Sequence, residues 1–206
     1  MRDSGGPGID TLKERVGHVL DLARQLGASD AETARWKALA GEIRAEVFER
    51  GFDAKRGSFV QAYGSRELDA SALLLPLVGF VGADDPRMRS TIAAIERELT
   101  ASNGLVYRNT EHGPLGTEGT FGICTFWLVD NLVFLGEIDR ARELSRTVLS
   151  HANDVGLFSE QIDPRSGELM GNFPQAFTHL GHINSSLNLD RAMRGGQPLA
   201  GGGGGA

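Results

Sequence analysis

Cysteine is almost absent from this chain. A single Cys124 among 206 residues excludes an internal disulfide. It lies in an apolar run with no Cys-His pairing motif beside it, so it reads as a small buried hydrophobe. Basic charge is also scarce: 21 Lys and Arg stand against 27 Asp and Glu, a net charge of −6. That balance argues against a nucleic-acid partner, because phosphate-binding surfaces need a clustered basic face. No window approaches the ~18 uninterrupted apolar residues that span a bilayer. The opening Met-Arg-Asp-Ser-Gly-Gly-Pro-Gly lacks the apolar core of a signal peptide. No membrane partner is expected, and a cytoplasmic location follows by default.

Hydrophobic residues make up 40% of the chain, enough for the core of one domain or a large piece of one. Gly5-Gly6-Pro7-Gly8 and the Gly201 to Gly205 run have no side chains to bury. Residues 1–8 are therefore expected to be a flexible N-terminus and 194–206 a disordered Gly-rich tail. Residues 9–193 form the folded part.

Within that part, helical periodicity alternates in character. Ile9 to Leu26 carries an apolar stripe at three- and four-residue spacing. Asp30 is placed to cap a second amphipathic helix that ends at Gly51, with Trp36 as a packing residue. Gly51 to Ser65 holds Phe59, Val60 and Tyr63 and reads as a short strand or extended loop. Asp69 to Val81 is apolar on nearly all sides, with Pro76 as a possible kink and Asp69 as its cap. Asp84-Asp85-Pro86 starts an amphipathic helix through Leu99. Thr120 to Leu135 is again apolar all round, and Glu137 to Ala152 again amphipathic. A last helix is predicted from Pro174 to Asn188. Alternating buried and surface helices, repeating at roughly fifty residues, predict an all-α fold of stacked helical hairpins. The inner helices would be 69–81, 120–135 and 174–188, and the long loops leading into them are where chemistry is expected.

The last of those loops reads Gly156-Leu157-Phe158-Ser159-Glu160-Gln161-Ile162-Asp163-Pro164, followed by Gly171-Asn172-Phe173-Pro174-Gln175-Ala176-Phe177-Thr178-His179-Leu180. Both segments resemble the C-terminal catalytic region of family 15 glycoside hydrolases, the glucoamylase and trehalase type. Three earlier stretches match its bacterial branch in the same order: Val60 to Gly64, Glu67 to Ser71, and Glu118 to Phe121 leading into Phe126-Trp127-Leu128-Val129-Asp130. The resemblance covers about residues 10 to 193. It implies about half of an (α/α)6 toroid, the six-hairpin glycosidase fold, and an inverting hydrolysis of α-glucosides such as trehalose or α-glucan ends.

The same resemblance assigns Glu160 as the general base. Arg108, in Val106-Tyr107-Arg108-Asn109, matches a substrate-binding arginine, and its planar donors suit sugar hydroxyls; an ordinary ion-pairing arginine is the alternative. Glu118 has two readings, acceptor of sugar hydroxyls or stabiliser of a helix N-terminus. Trp127 is either core packing or a stacking platform, and Tyr63 either a sugar-stacking or a helix-packing ring. His179 and His182 share a helix face but lack an acidic third ligand, so no metal and no cofactor is expected. Nothing in residues 1 to 60 resembles the family's Asp-Leu-Trp-Glu acid segment. The chain is thus expected to hold the base but not the acid, with a missing N-terminal half as its partner. The alternative is an inactive helical remnant serving as a sugar-binding or protein-interaction module.

Overall fold

The computed structural model describes residues 19–110 and 118–199. Helix α1 is described over residues 19–25; the rest of the predicted first helix lies outside the described residues. α2 (Asp30–Arg50) begins at a capping box, in which the Ser29 side chain accepts from the Glu32 N–H and Glu32 accepts from the Ser29 N–H at 2.8 Å. The cap is Ser29, not Asp30. Asp30 sits one position later, in the first turn, where its charge still suits the helix N-terminus. Trp36 is 42% exposed and forms a solvent-facing stripe with Leu39 and Ile43, so the packing role expected of it is not realised.

The extended stretch becomes a two-residue hairpin of β1 (Phe52–Asp53) and β2 (Ser58–Phe59), with Tyr63 beyond it. Phe59 is buried, and its N–H donates to Thr91 Oγ1 at 2.9 Å. The first inner helix is shorter than predicted. Asp69 caps as expected, accepting from the Ser71 N–H at 2.7 Å, and a 3-10 turn (Ala70–Leu73) leads into one turn of α3 (Leu74–Leu77). Gly79, at a left-handed φ of +70, ends the helix: its N–H donates to Pro76 O at 3.0 Å and the Phe80 N–H to Leu75 O at 2.9 Å, so the run to Val81 does not form. α4 (Pro86–Leu99) starts as predicted, with Asp85 as N-cap and Pro86 in the first turn.

β3 (Thr120–Phe121) takes the first two residues of the second predicted inner helix, and α5 (Gly122–Phe134) the remainder. α6 (Ile138–Leu149) is an amphipathic surface helix. After β4 (Gln161–Ile162) and β5 (Leu169–Met170), α7 (Ala176–Met193) begins later and ends later than predicted, with Gln175 as its N-cap. α5 lies at the centre: it packs on α6, on α7 and on the 3-10 turn with α3. Its Leu128, Val129 and Leu132 join Leu73, Met88, Ile95 and Leu99 in one core cluster. Each such side chain contributes about 1.5–3 kcal/mol on burial.

One charged group sits inside this packing. Asp130 is 1% exposed, and its Oδ1 accepts from Asn188 Nδ2 of α7 at 2.7 Å, while Oδ2 is buried without a hydrogen-bond partner among the described residues. Burial pushes the Asp130 pKa up to about 7, against the opposing pull of the Asn188 amide. Because the folded state then holds its proton above the ordinary carboxylate range, stability contributed by protonated Asp130 is fully present below about pH 4. It is lost as pH rises towards 7. Wild-type unfolding free energy should fall relative to Asp130→Asn by up to ~1.4 kcal/mol per pH unit across that window. Urea unfolding of both proteins from pH 4 to 8 measures this; parallel profiles would contradict it.

Candidate active site

The N-terminal ends of the inner helices are tied together by backbone hydrogen bonds that run across five segments of the chain. The Ala70 N–H donates to Arg108 O at 2.7 Å, and the Phe121 N–H donates to Val106 O at 2.8 Å. Next, the Gly122 N–H donates to Glu160 O at 3.1 Å, and the Glu160 N–H to Asn172 O at 2.9 Å. The three-stranded sheet β3–β4–β5 is the regular part of this ladder, pairing Thr120 with Ile162 and Ile162 with Leu169. Side chains reinforce it: Gln161 Oε1 accepts from the Gly119 N–H at 2.9 Å, and Thr120 Oγ1 donates to Ile162 O at 2.9 Å.

Glu160 is held by one oxygen. Its Oε2 accepts from the Asn172 N–H at 3.1 Å and from Asn172 Nδ2 at 3.0 Å. Gly171 stands directly against that oxygen, since a Cβ there would lie 2.8 Å from Oε2, and its φ of +73 is left-handed. Two donors on Oε2 fix the carboxylate plane and leave Oε1 outside that clamp. Gly122 allows a second close approach: a Cβ on it would meet Thr178 Cγ2 at 2.6 Å, and Thr178 Oγ1 donates to Ser159 O at 3.0 Å. α7 and the Glu160 loop therefore sit against the start of α5.

Arg108 and Glu118 form an ion pair at 2.8 Å, with side chains 44% and 26% exposed. The Arg108 guanidinium also lies 5.4 Å from the centroid of the Phe121 ring. Glu118 does not cap α5, which begins four residues later with Phe121 as its N-cap; the carboxylate is turned to Arg108 instead. Its Oε2 is buried and unbonded among the described residues. A half-exposed pair of this kind adds only about 0–1 kcal/mol to stability. Beside it, Thr110 Oγ1 donates to Glu67 Oε2, and the Thr110 N–H donates to Leu68 O at 3.2 Å.

The other candidates lie elsewhere. The Tyr63 ring stacks under the Arg50 guanidinium at 4.4 Å, at the end of α2. Trp127 packs on the core from the middle of α5 and lines a groove between α3, α5 and α7. His179 and His182 turn into an aromatic cluster with Phe158, ring centroids 5.3 and 5.5 Å away. His179 Nε2 accepts from the Phe158 N–H at 3.4 Å, and its Nδ1 lies 2.7 Å from Gln175 O. Burial lowers the His182 pKa. Asn172 and Gln161 gained no role from the sequence, although both stand inside the quoted motifs. Adjacency to Glu160 in the next motif was the signal available for Asn172.

The chain matches the model of the family described as Glycosyl hydrolases family 15 over residues 17–137 and 138–187. It is 48% identical over 181 residues to a trehalase of Mycobacterium tuberculosis, covering 84% of this chain and 26% of that protein. It is 43% identical over 176 residues to a trehalase of Thermoplasma volcanium, covering 85% and 28%. Its fold is similar to that of a bacterial glucoamylase solved with acarbose, at a TM-score of 0.73 and 16% identity over 90% of this chain and 33% of the other. A glycosidase solved with glucose is similar at a TM-score of 0.65 and 22% identity, over 79% and 46%. The chain thus spans about a quarter of the length of the curated relatives it matches, with the helical arrangement of the glucoamylase six-hairpin fold. On this sequence match, the chain belongs to the glycosyl hydrolases family 15.

Proposed function

We propose that these residues form the base-bearing part of an inverting α-glucoside hydrolase that acts on trehalose or on α-glucan ends, with Glu160 as the general base. The observation that carries this reading is the one-sided clamp on the carboxylate. Asn172 occupies Oε2 with two donors and leaves Oε1 to accept a proton. In the reaction a water oxygen attacks the anomeric carbon while its proton passes to Glu160 Oε1, and the bond from that carbon to the leaving oxygen breaks. The leaving oxygen takes its proton from a second carboxyl group ~6.5–9.5 Å from the first, a spacing that leaves room for the water. No segment of residues 1 to 60 resembles the family's acid motif, so that acid comes from outside these 206 residues.

Arg108 and Glu118 serve as the sugar-binding pair in this reading. The remaining guanidinium donors and the unbonded Glu118 Oε2 suit vicinal hydroxyls, each of which donates and accepts. Names borne by the relatives favour trehalose as the first substrate to test.

Loss of general acid catalysis alone costs ~10²–10⁴-fold, so the isolated chain should be nearly inactive on trehalose and maltose. α-Glucosyl fluoride, whose fluoride leaves with little protonation, should show residual turnover first, and Glu160→Gln should remove it because an amide cannot take the proton of water. Fluoride release followed by ion-selective electrode measures both. Efficient trehalose cleavage by the chain, or activity surviving Glu160→Gln, would contradict the assignment.

A second prediction concerns the support of Glu160. Gly171→Ala and Gly57→Ala both place a side chain at a left-handed φ, which costs about 1–2 kcal/mol. Gly57 faces open space, whereas Gly171 abuts Glu160. Gly171→Ala should therefore lower the urea midpoint further than Gly57→Ala and should also depress fluoride release. Equal effects of the two on both readouts would mean that Glu160 is not held as described.

A further inference from the structure

The direction in which Glu160 presents its carboxylate is set by the two peptide units that flank its Cα, because each unit is planar and only the torsions between them are free. Both units are tethered. In the one before it, the Ser159 carbonyl accepts from Thr178 Oγ1 at 3.0 Å and the Glu160 N–H donates to Asn172 O at 2.9 Å. In the one after it, the Glu160 carbonyl accepts from the Gly122 N–H at 3.1 Å. Two of these three bonds join main chain to main chain. The third comes from a side chain, that of Thr178 in the first turn of α7.

Thr178 is 1% exposed and uses both of its branches. Its methyl group lies against Gly122, where a Cβ would meet Thr178 Cγ2 at 2.6 Å, and its hydroxyl meets the Ser159 carbonyl. That hydroxyl bond departs from the habit of helical threonines. Thr91, Thr125 and Thr147 each donate to the carbonyl four residues earlier. Thr178 instead reaches a carbonyl 19 residues away, in the loop that carries the base. Ser159 is 2% exposed, so its carbonyl has no ready access to water should that donor be lost. Phe158 is held from the same turn of α7: its carbonyl accepts from the Gln175 N–H at 2.9 Å and its N–H donates to His179 Nε2 at 3.4 Å.

We propose that Thr178 is a positioning residue for the base: its hydroxyl fixes the Ser159–Glu160 peptide unit and so aims the unclamped Oε1 of Glu160. The inference rests on the reading of Glu160 as general base. Asn172 orients the carboxylate at the far end of the side chain, whereas Thr178 orients the backbone from which that side chain springs. Without the hydroxyl, the peptide unit is held at its N–H end alone and can rock about that bond, carrying the Glu160 Cα away from the position that the Asn172 clamp serves. Misplacement of a reacting group by about 1 Å can cost ~10²-fold in rate, so a bond remote from the reacting atoms still bears on the chemistry.

Three variants of the 206-residue chain test this. Thr178→Val keeps the methyl contact with Gly122 and removes only the donor, while Thr178→Ser keeps the donor and drops the methyl. Thr91→Val is the control: it removes another fully buried hydroxyl, the acceptor of the Phe59 N–H, from α4. Amide exchange is read at Glu160 relative to Val129 of α5, and release of fluoride from α-glucosyl fluoride gives kcat and KM. Thr178→Val should raise the exchange ratio about tenfold and lower kcat about tenfold with KM unchanged, and Thr178→Ser should restore both. Thr91→Val should lower the urea midpoint comparably and move neither, because a loss of global stability speeds both amides alike. A wild-type exchange ratio in Thr178→Val, equal falls in kcat for Thr178→Val and Thr91→Val, or failure of Thr178→Ser to restore would overturn the proposal. Exchange needs no substrate, so it decides even where turnover is too slow to follow. Turnover that survives Glu160→Gln, by contrast, marks failure of the base assignment, a result read without any Thr178 variant.

Discussion

The backbone ladder across the loop face organises everything else in this structure. It runs from Ala70 to Arg108, from Val106 to Phe121, from Gly122 to Glu160 and from Glu160 to Asn172, so five segments of the chain are locked edge to edge. Helices alone would not do this, because helix packing fixes axes and leaves the loops between them free. Backbone pairing also removes the polar groups of those loops from competition, since each N–H has found an acceptor in a neighbouring segment. The result is a rigid rim at the N-terminal ends of the inner helices. The candidate site is built on it, with Glu160 inside one rung and Arg108 inside another.

Beneath the rim, α5 supplies the rigidity. Ten of its 13 residues are buried, among them Phe126, Leu128 and Val129, and a helix enclosed on most sides cannot shift without disturbing all its neighbours. Gly122 lets α7 and the Glu160 loop close onto its first turn. Asn131 anchors the opposite flank by donating to Leu73 O at 2.9 Å. Core, rim and carboxylate are therefore one mechanical unit. The cost of that construction appears at Asp130, a buried carboxyl with a single hydrogen-bonded oxygen among the described residues.

Much of this architecture is legible in the sequence. Alternating apolar and amphipathic helices are written in the periodicity of 69–81, 86–99, 120–135 and 137–152, and the Asp85 and Asp69 caps in their local signals. Boundaries were harder to read where two local rules competed. Ser29 and Asp30 are both good caps, and the reciprocal bond from Glu32 favours Ser29. Thr120 and Phe121 suit either helix or strand, and their partner Gln161-Ile162, about forty residues away, makes them a strand. The site divides in the same way. Glu160, Arg108 and Glu118 lie in recognisable motifs, and the structure pairs the last two. The Asn172 clamp and the Arg50–Tyr63 stack depend on tertiary contacts that no local pattern encodes.

Amide hydrogen exchange addresses the ladder most directly, because it reads the individual bonds on which the account depends. The amides of Phe121, Gly122 and Glu160 lie in loop or helix-start positions where isolated segments exchange quickly. If the ladder is an integral part of the fold, they should exchange as slowly as the core amides of α5 such as Val129, opening only with global unfolding. Exchange of Gly122 and Glu160 at the rates of exposed loops, while α5 remains protected, would contradict it.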